Sequence, residues 1–257
     1  YYGGSYDEGE AHCHPLNYAL GIAEAALSMG AKLYENSSAL SYKVSDNHVR
    51  VTTRNGSIKA DRVILACNGY LGNLEKSLAS KILPMNNYIV ATKPLDDETV
   101  QKINPKDIAF ADSRFVINYF RMSADKRLLF GGGENYSQEL SKNIVPIVTR
   151  PLEKIYPFLK GVKIDYAWGG KLAITMNRLP FFTTLKNERV ISAQGYSGQG
   201  VALASYSGKI VSEKILGSGK TFDLMAKIPR QSFPGGRFLR NPSMKLGMLY
   251  YSLLDRI

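Results

Sequence analysis

The stretch Arg189-Val190-Ile191-Ser192-Ala193-Gln194-Gly195-Tyr196-Ser197-Gly198-Gln199-Gly200 decides how this chain is read. Arg189 to Ala193 is a short, partly β-branched run of strand type. The glycines from Gly195 to Gly200 then mark a turn, and the small-residue segment Val201 to Leu216 predicts a helix. Strand, glycine-rich turn and helix in that order bring several backbone N–H groups and the positive end of a helix up to a ligand's polar edge. A Cβ in the turn would block both the tight bend and the close approach. The same residues also fit a plain strand-to-helix connection that holds nothing. The rest of the chain separates the two readings.

A chain of 257 residues is long enough to bury one large core or two smaller ones. Its 44% hydrophobic and 21% charged residues are those of an ordinary globular protein. No apolar run approaches the ~18 residues of a membrane span, and no signal-peptide pattern opens the sequence. Cys13 and Cys67 stand far apart without CxxC spacing, which argues against a disulfide framework and for a reducing, cytoplasmic setting. The net charge of +11 is spread along the chain with no basic run and no nucleic-acid-binding signature. Such a surface points to solubility and to attraction for anionic substrates or membrane surfaces. No metal site is expected, because His12 and His14 at i, i+2 point apart on a helix and no carboxylate pair supports them. The sequence opens at Tyr1 in mid-pattern and reads as a piece of something longer.

His14-Pro15 begins a helix in which Leu16, Ala19, Leu20, Ala23, Ala26 and Leu27 recur at helical spacing, with Gly30 as its stop. Its small residues predict close packing against a sheet. Ala31 to Glu35 reads as a strand. His48 to Thr53 alternates, Asn55-Gly56 predicts a two-residue hairpin turn, and Ser57 to Cys67 returns as the second arm. The apolar end of that arm, Val63 to Cys67, predicts a strand buried on both faces, as in a parallel sheet. Asn68-Gly69-Tyr70 follows at the strand's carboxyl end, where open α/β sheets bind ligands. From Pro84 the pattern becomes antiparallel, with strands at Tyr88–Thr92, Phe115–Arg121 and Arg127–Gly131. A helix at Ile144–Phe158 carries Pro146 and Pro151, so it starts late or breaks. After Lys163 the chain returns to the first domain through Trp168-Gly169-Gly170. The basic last segment contains one short amphipathic helix, Met244 to Leu254, read either as packed along its own protein or as a membrane or partner contact.

These pieces resemble the D-amino-acid-oxidase-like (DAO) family of FAD-dependent amine oxidoreductases. The resemblance rests on His14-Pro15-Leu16 before its helix and on Gly30-Ala31 with Asn36-Ser37. It rests also on Ala60 to Tyr70, on Trp168 to Pro180 and on the glycine turn, in that order. Ala66 to Gly72, Trp168 to Pro180 and Phe233-Pro234-Gly235-Gly236-Arg237 are similar to the gamma-glutamylputrescine oxidase-like branch. The implied fold is α/β (α+β): the latter part of a Rossmann-like FAD-binding domain with an inserted antiparallel β-sheet substrate domain. The implied layout is the end of a substrate-domain segment at 1–11, FAD-binding domain at 12–83, substrate domain at 84–165, FAD-binding return at 166–220 and a basic tail at 221–257. FAD would be held by Ser37, Ala39, Cys67, Asn68, Gly69, Gly170, Gly195, Tyr196, Ser197, Gly198, Gln199 and Gly200.

The implied reaction is hydride transfer from an amine Cα–H to the flavin, giving an imine that hydrolyses. O2 reoxidises the flavin to give H2O2. The amide groups of Ser197 to Gly200 would stabilise charge on the reduced ring, and Asn68 and Gly69 would approach it through their backbones or serve as a simple turn. Lys171 is the candidate for activating O2, against the alternative of a solvated lysine. Tyr196 walls the substrate pocket or simply packs. Trp168 reads as core in preference to a substrate platform. Asn177 and Arg178 line the site or form a structural turn before Pro180. Two departures matter. The family's GxGxxG fingerprint, which grips the pyrophosphate, is absent, so this chain alone is expected to bind FAD weakly or not at all and to be inactive. Leu172 stands where amino-acid-oxidising relatives often carry an arginine for the substrate carboxylate, which favours a small-molecule amine without one. The alternatives are a sarcosine- or glycine-type oxidase, a dehydrogenase passing electrons to a partner, and a remnant without flavin.

Overall fold

The computed structural model describes residues 3–114, 117–135 and 139–236, with Pro242 and Leu246. In chain order the strands are β1 Ser41–Val44, β2 Val49–Thr52, β3 Ser57–Ala60, β4 Val63–Leu65, β5 Leu83–Thr92, β6 Phe110–Ala111, β7 Tyr119–Met122, β8 Leu128–Asn135, β9 Ile164–Ile174, β10 Phe181–Leu185 and β11 Val190–Gln194. The helices are α1 Pro15–Ser28, α2 Lys76–Ala79, α3 Asp97–Ile103, α4 Val145–Ile155, α5 Gly200–Ile215 and α6 Lys220–Ala226. The fold is mixed α/β with antiparallel sheets, as the sequence led us to expect. The described residues divide into two compact units, one from 3–31 and 87–170, the other from 32–86 and 171–236.

In the first unit a five-stranded sheet runs in the order β6-β7-β8-β5-β9, with β6, β7 and β8 antiparallel neighbours. Its core collects Tyr88, Val90, Phe120, Leu128 and Phe130 from the strands and Val148 and Leu152 from α4, residues one helical turn apart. Phe120 and Phe130 stack with ring centroids 5.3 Å apart. Pro146 sits in the first turn of α4, where its missing N–H costs nothing, and the helix continues through Pro151 to Ile155. Helix α1 opens with Asn17 N–H donating to His14 Nδ1 at 3.3 Å. It closes in a Schellman arrangement, Ala31 N–H to Ala26 O and Gly30 N–H to Leu27 O, with Gly30 at φ +90.

The second unit holds two three-stranded sheets, β1-β2-β3 and β10-β11-β4. In the latter β10 and β11 are antiparallel, while β11 and β4 are parallel, Val190 facing Val63 and Ser192 facing Leu65. Alternation along β11 gives two cores. Val190 joins Leu65, Leu78, Ala173 and Phe181 on one side; Ile191 and Ala193 join Ile210 and Val211 of α5 and Phe222 of α6 on the other.

Several expectations are corrected. Ala31–Glu35 forms no strand; no neighbouring chain is bonded along it in a ladder among the described residues. No residue of α1 is buried. The hairpin turns one residue earlier than Asn55-Gly56: Thr53 donates to Gly56 O through its N–H at 2.8 Å and its hydroxyl at 3.1 Å, leaving Arg54-Asn55 at the tip. Neither tip residue has positive φ, so the primed turn that needs glycine in its centre is not used. The return arm breaks after Ala60, β3 staying with β2 while β4 joins β11. Among the described residues β4 ends the order of its sheet, and Ile64 is 47% exposed where burial on both faces was expected. Trp168 is 44% exposed on β9 and is not core. Phe115 and Val116 of an expected strand, Arg237 of the tail motif and most of Met244–Leu254 lie outside the described residues.

Candidate functional site

Parallel neighbours end at the same edge of a sheet, so β4 and β11 deliver their following residues to one place. From β4 the chain passes through Cys67 into a 3-10 turn at Asn68–Tyr70; from β11 it enters the glycine turn and then α5. The last residues of β9, Lys171 to Ile174, close the third side. Tyr70 Oη accepts the Lys171 N–H at 3.1 Å, and Ala173 O accepts the Ser197 N–H at 2.9 Å.

Packing at this corner depends on two glycines. A Cβ on Gly69 would stand 2.4 Å from Lys171 O and 2.9 Å from Leu172 O. Gly195 lies at φ +79, and a Cβ there would meet Thr175 Cγ2 at 2.6 Å. Two other residues hold left-handed backbone without being glycine, Asn68 at φ 48 and Ser197 at φ 51. Such positions carry a cost of ~1 kcal/mol or more and cluster at ligand sites. Both are held by bonds: Asn68 Oδ1 accepts the Gly195 N–H at 3.0 Å. Ser197 Oγ accepts the Thr175 N–H and lies beside Thr175 Oγ1, each at 3.3 Å. Thr175 in turn donates its hydroxyl proton to Leu179 O at 2.9 Å.

The turn's donors therefore fall into two sets. The N–H groups of Gly195, Ser197 and Gln199 are consumed within the protein, the last by Tyr196 O at 3.0 Å. Like the N–H of the buried Tyr196, those of Gly198 and of Gly200, Val201 and Ala202 at the start of α5 have no acceptor among the described residues, whereas Leu203 N–H already donates to Gln199 O. Their surroundings are open. A Cβ on Gly198 would have nothing within 4 Å, and one on Gly200 would meet only the Tyr196 side chain, at 3.6 Å or more. At the end of β11 the wholly buried Gln194 donates from Nε2 to Ser192 Oγ at 2.9 Å, while its Oε1 has no partner among the described residues. Bare backbone, unspent amides and a helix N-terminus form a cradle for a flat group with an electron-rich edge.

The sequence pattern described as "FAD dependent oxidoreductase" (DAO) matches residues 1–214. The chain belongs to the DAO family. Over 256 residues it is 41% identical to the probable oxidoreductase OrdL of Rhizobium meliloti, covering 100% of this chain and 59% of that protein. It is 37% identical over 258 residues to the gamma-glutamylputrescine oxidoreductase of Escherichia coli, covering 100% of this chain and 60% of that one. The chain thus spans about three fifths of the length of these curated relatives. In fold it is similar to the glycine oxidase of Geobacillus kaustophilus, with a TM-score of 0.67, 20% identity, and 83% and 57% of the two chains covered. The family's cofactor is FAD, and the cradle fits it.

The residues singled out in the sequence fare differently. Asn68, Gly69, Lys171, Gly195, Ser197, Gly198, Gln199 and Gly200 stand on the three converging segments of the second unit. Cys67, half-buried just before them, has its thiol pushed up by burial, against a smaller opposing effect of its own backbone hydrogen bond. Gly170 lies on β9 immediately before Lys171. Tyr196 is buried, its hydroxyl donating to Ala193 O at 3.0 Å, and burial raises its pKa against the hydrogen bond with Ser207. These are the surroundings of a packed side chain. Ser37 and Ala39 are exposed on the coil before β1, and Ser37 Oγ donates to Glu35 O. Asn177 serves its turn, accepting from Leu179 N–H at 3.1 Å and donating to Pro229 O at 3.2 Å. Sequence reasoning missed Tyr70 and Thr175. Both lie inside motifs it quoted, but a hydroxyl's partner is invisible until the fold supplies it. Among the described residues no group of His, Cys, Asp or Glu is placed to hold a metal, and no helix is long and apolar enough to cross a membrane.

Proposed function

We propose that this chain carries the flavin-loop half of an enzyme that oxidises a primary amine of the gamma-glutamylputrescine type. O2 is the acceptor and the products are aldehyde, ammonia and H2O2. Atoms balance as amine, water and O2 giving aldehyde, ammonia and H2O2. The observation that carries the substrate is the 37% identity along the whole chain to a protein named for gamma-glutamylputrescine. Leu172 supports it: half-buried on β9 beside the cradle, it offers no charge to an α-carboxylate. FAD, when bound, supplies the two-electron acceptor.

The protein's part is positioning and charge. Gly198 and the first turn of α5 present fixed N–H dipoles, which need no reorganisation when negative charge develops. Lys171, whose backbone N–H donates to Tyr70 Oη at this corner, is our candidate for activating O2. Gln199 and Gly200 complete the turn. The discontinuous layout 12–83, 84–165 and 166–220 and a cytoplasmic, reducing setting belong to the same reading, the latter supported by the free thiols of Cys13 and Cys67.

The test is an anaerobic titration of the full-length, flavin-loaded protein, followed by visible absorbance. Gamma-glutamylputrescine bleaches the flavin, and glycine and sarcosine do not. Bleaching by the small amino acids alone would replace this substrate with a glycine- or sarcosine-type one. Slow reoxidation in air would replace O2 with a partner protein.

A further inference from the structure

We infer that Asn68 is a positioning residue for the cofactor loop, acting through its side chain and not through a backbone contact to the ring. The inference rests on the reading of Gly195–Gly200 as the flavin cradle. Asn68 and Gly195 follow the two parallel strands β4 and β11. A single side-chain bond, Gly195 N–H to Asn68 Oδ1 at 3.0 Å, spans the fork between them. Gly195 is buried, so water cannot replace that acceptor freely. The backbone of Asn68 is committed to the same end: its φ of 48 lies in the region asparagine tolerates better than other non-glycine residues.

Among the described residues two backbone N–H bonds tie the loop to neighbouring segments, Gly195 to Asn68 Oδ1 and Ser197 to Ala173 O, and the exposed amides without an acceptor begin at Gly198. The second bond is backbone to backbone, and every sequence can make it. The first depends on one side chain. The contacts of Ser197 Oγ, at 3.3–3.4 Å, are longer and give weaker restraint. Asn68 therefore determines where Gly198 and the start of α5 sit, and through them how strongly the protein favours the reduced over the oxidised cofactor. Its amide is neutral, which leaves the field at the loop to the N–H dipoles.

The experiment compares Asn68→Ala and Asn68→Asp with wild type in the full-length protein, by FAD titration of the apoprotein and by the potential of the loaded form. Asn68→Ala weakens FAD binding roughly tenfold, the effect of stranding one buried N–H. It also lowers the preference for reduced cofactor by about tenfold, equivalent to about 30 mV for a two-electron couple. Asn68→Asp keeps the acceptor and recovers most of the affinity, but its charge leaves the potential below wild type. Unchanged affinity and potential in Asn68→Ala overturn the inference. So does lost thermal stability with an unchanged potential, the signature of a merely structural residue. If Asn68→Ala does not fold, Asn68→Gly, which also removes the acceptor but suits the left-handed backbone, decides: weaker FAD binding with a lowered potential supports the role, and wild-type values overturn it. A wild-type protein that binds no FAD would instead defeat the reading of the site itself.

Discussion

Glycine at position 69 is required by a neighbour about a hundred residues away in the sequence. Its missing Cβ is what lets the turn after β4 lie against the backbone of Lys171 and Leu172. The obstructing atoms are backbone carbonyl atoms of a strand, so none can rotate aside. Gly69→Ala should therefore cost about 2 kcal/mol, seen as a lower urea midpoint with an unchanged slope. A midpoint equal to wild type would mean that the turn and β9 separate without loss. Gly195 is legible from the sequence alone, because a glycine-rich turn between strand and helix announces positive φ. Gly69 is legible only as part of a motif; the reason for it is a contact. Ser197 shows the limit more sharply. Its place in the loop was evident, but its N–H and hydroxyl are turned inward to Ala173 and Thr175, and the ligand-facing amides start one residue later.

At the scale of elements, β1 is fastened to the short helix α2 by one polar knot. The carboxylate of Glu75 caps α2 by accepting from Ser77 N–H at 3.1 Å and Ser77 Oγ at 2.6 Å, and it also accepts the hydroxyl proton of Tyr42. Burial alone would push the Glu75 carboxyl up. The bonds from Ser77 and Tyr42, with Lys186 nearby, outweigh it and hold the group below the usual carboxylate range. Tyr42 is raised well above an ordinary phenol, by burial first and then by its bond to and the charge of Glu75. A lowered carboxyl pKa in the fold adds stability above the unfolded value, and this is lost as pH falls through the folded value. A raised phenol pKa adds stability that fades as pH climbs past about 10. The Tm gap between wild type and Glu75→Gln is therefore expected to be widest near neutrality and to close below about pH 4. A constant gap would locate the effect of Glu75 in packing. Neither β1 nor this knot was expected from the sequence: four residues are too few for a clear alternation, and a cap of Glu, Lys, Ser lacks the usual Ser, Thr, Asp or Asn signal.

At the scale of the molecule, the first unit has a core built around Phe130, with no exposure and Phe120 stacked on it. The glycine turn belongs to the second unit. Phe130→Ala is expected to cost about 4 kcal/mol and to strip hydrogen-exchange protection from β7, β8 and α4 first. Equal loss in β10, β11 and α5 would show that the cores unfold as one. The sequence by itself determined the family, the order of most elements and the glycine turn. It also placed Asn68-Gly69 at the carboxyl end of a strand. Such features are written in adjacent residues, through apolar spacing, through proline at the start of α1 and through glycine where φ turns positive. Only the tertiary structure decided that β3 and β4 part company, that the hairpin tip is Arg54-Asn55, and which amides of the loop remain unspent. The bond between Asn68 and Gly195 joins positions 127 residues apart. A contact across that distance leaves no periodicity in the chain, because its geometry is set by the pairing of β4 with β11 and not by the residues beside either partner.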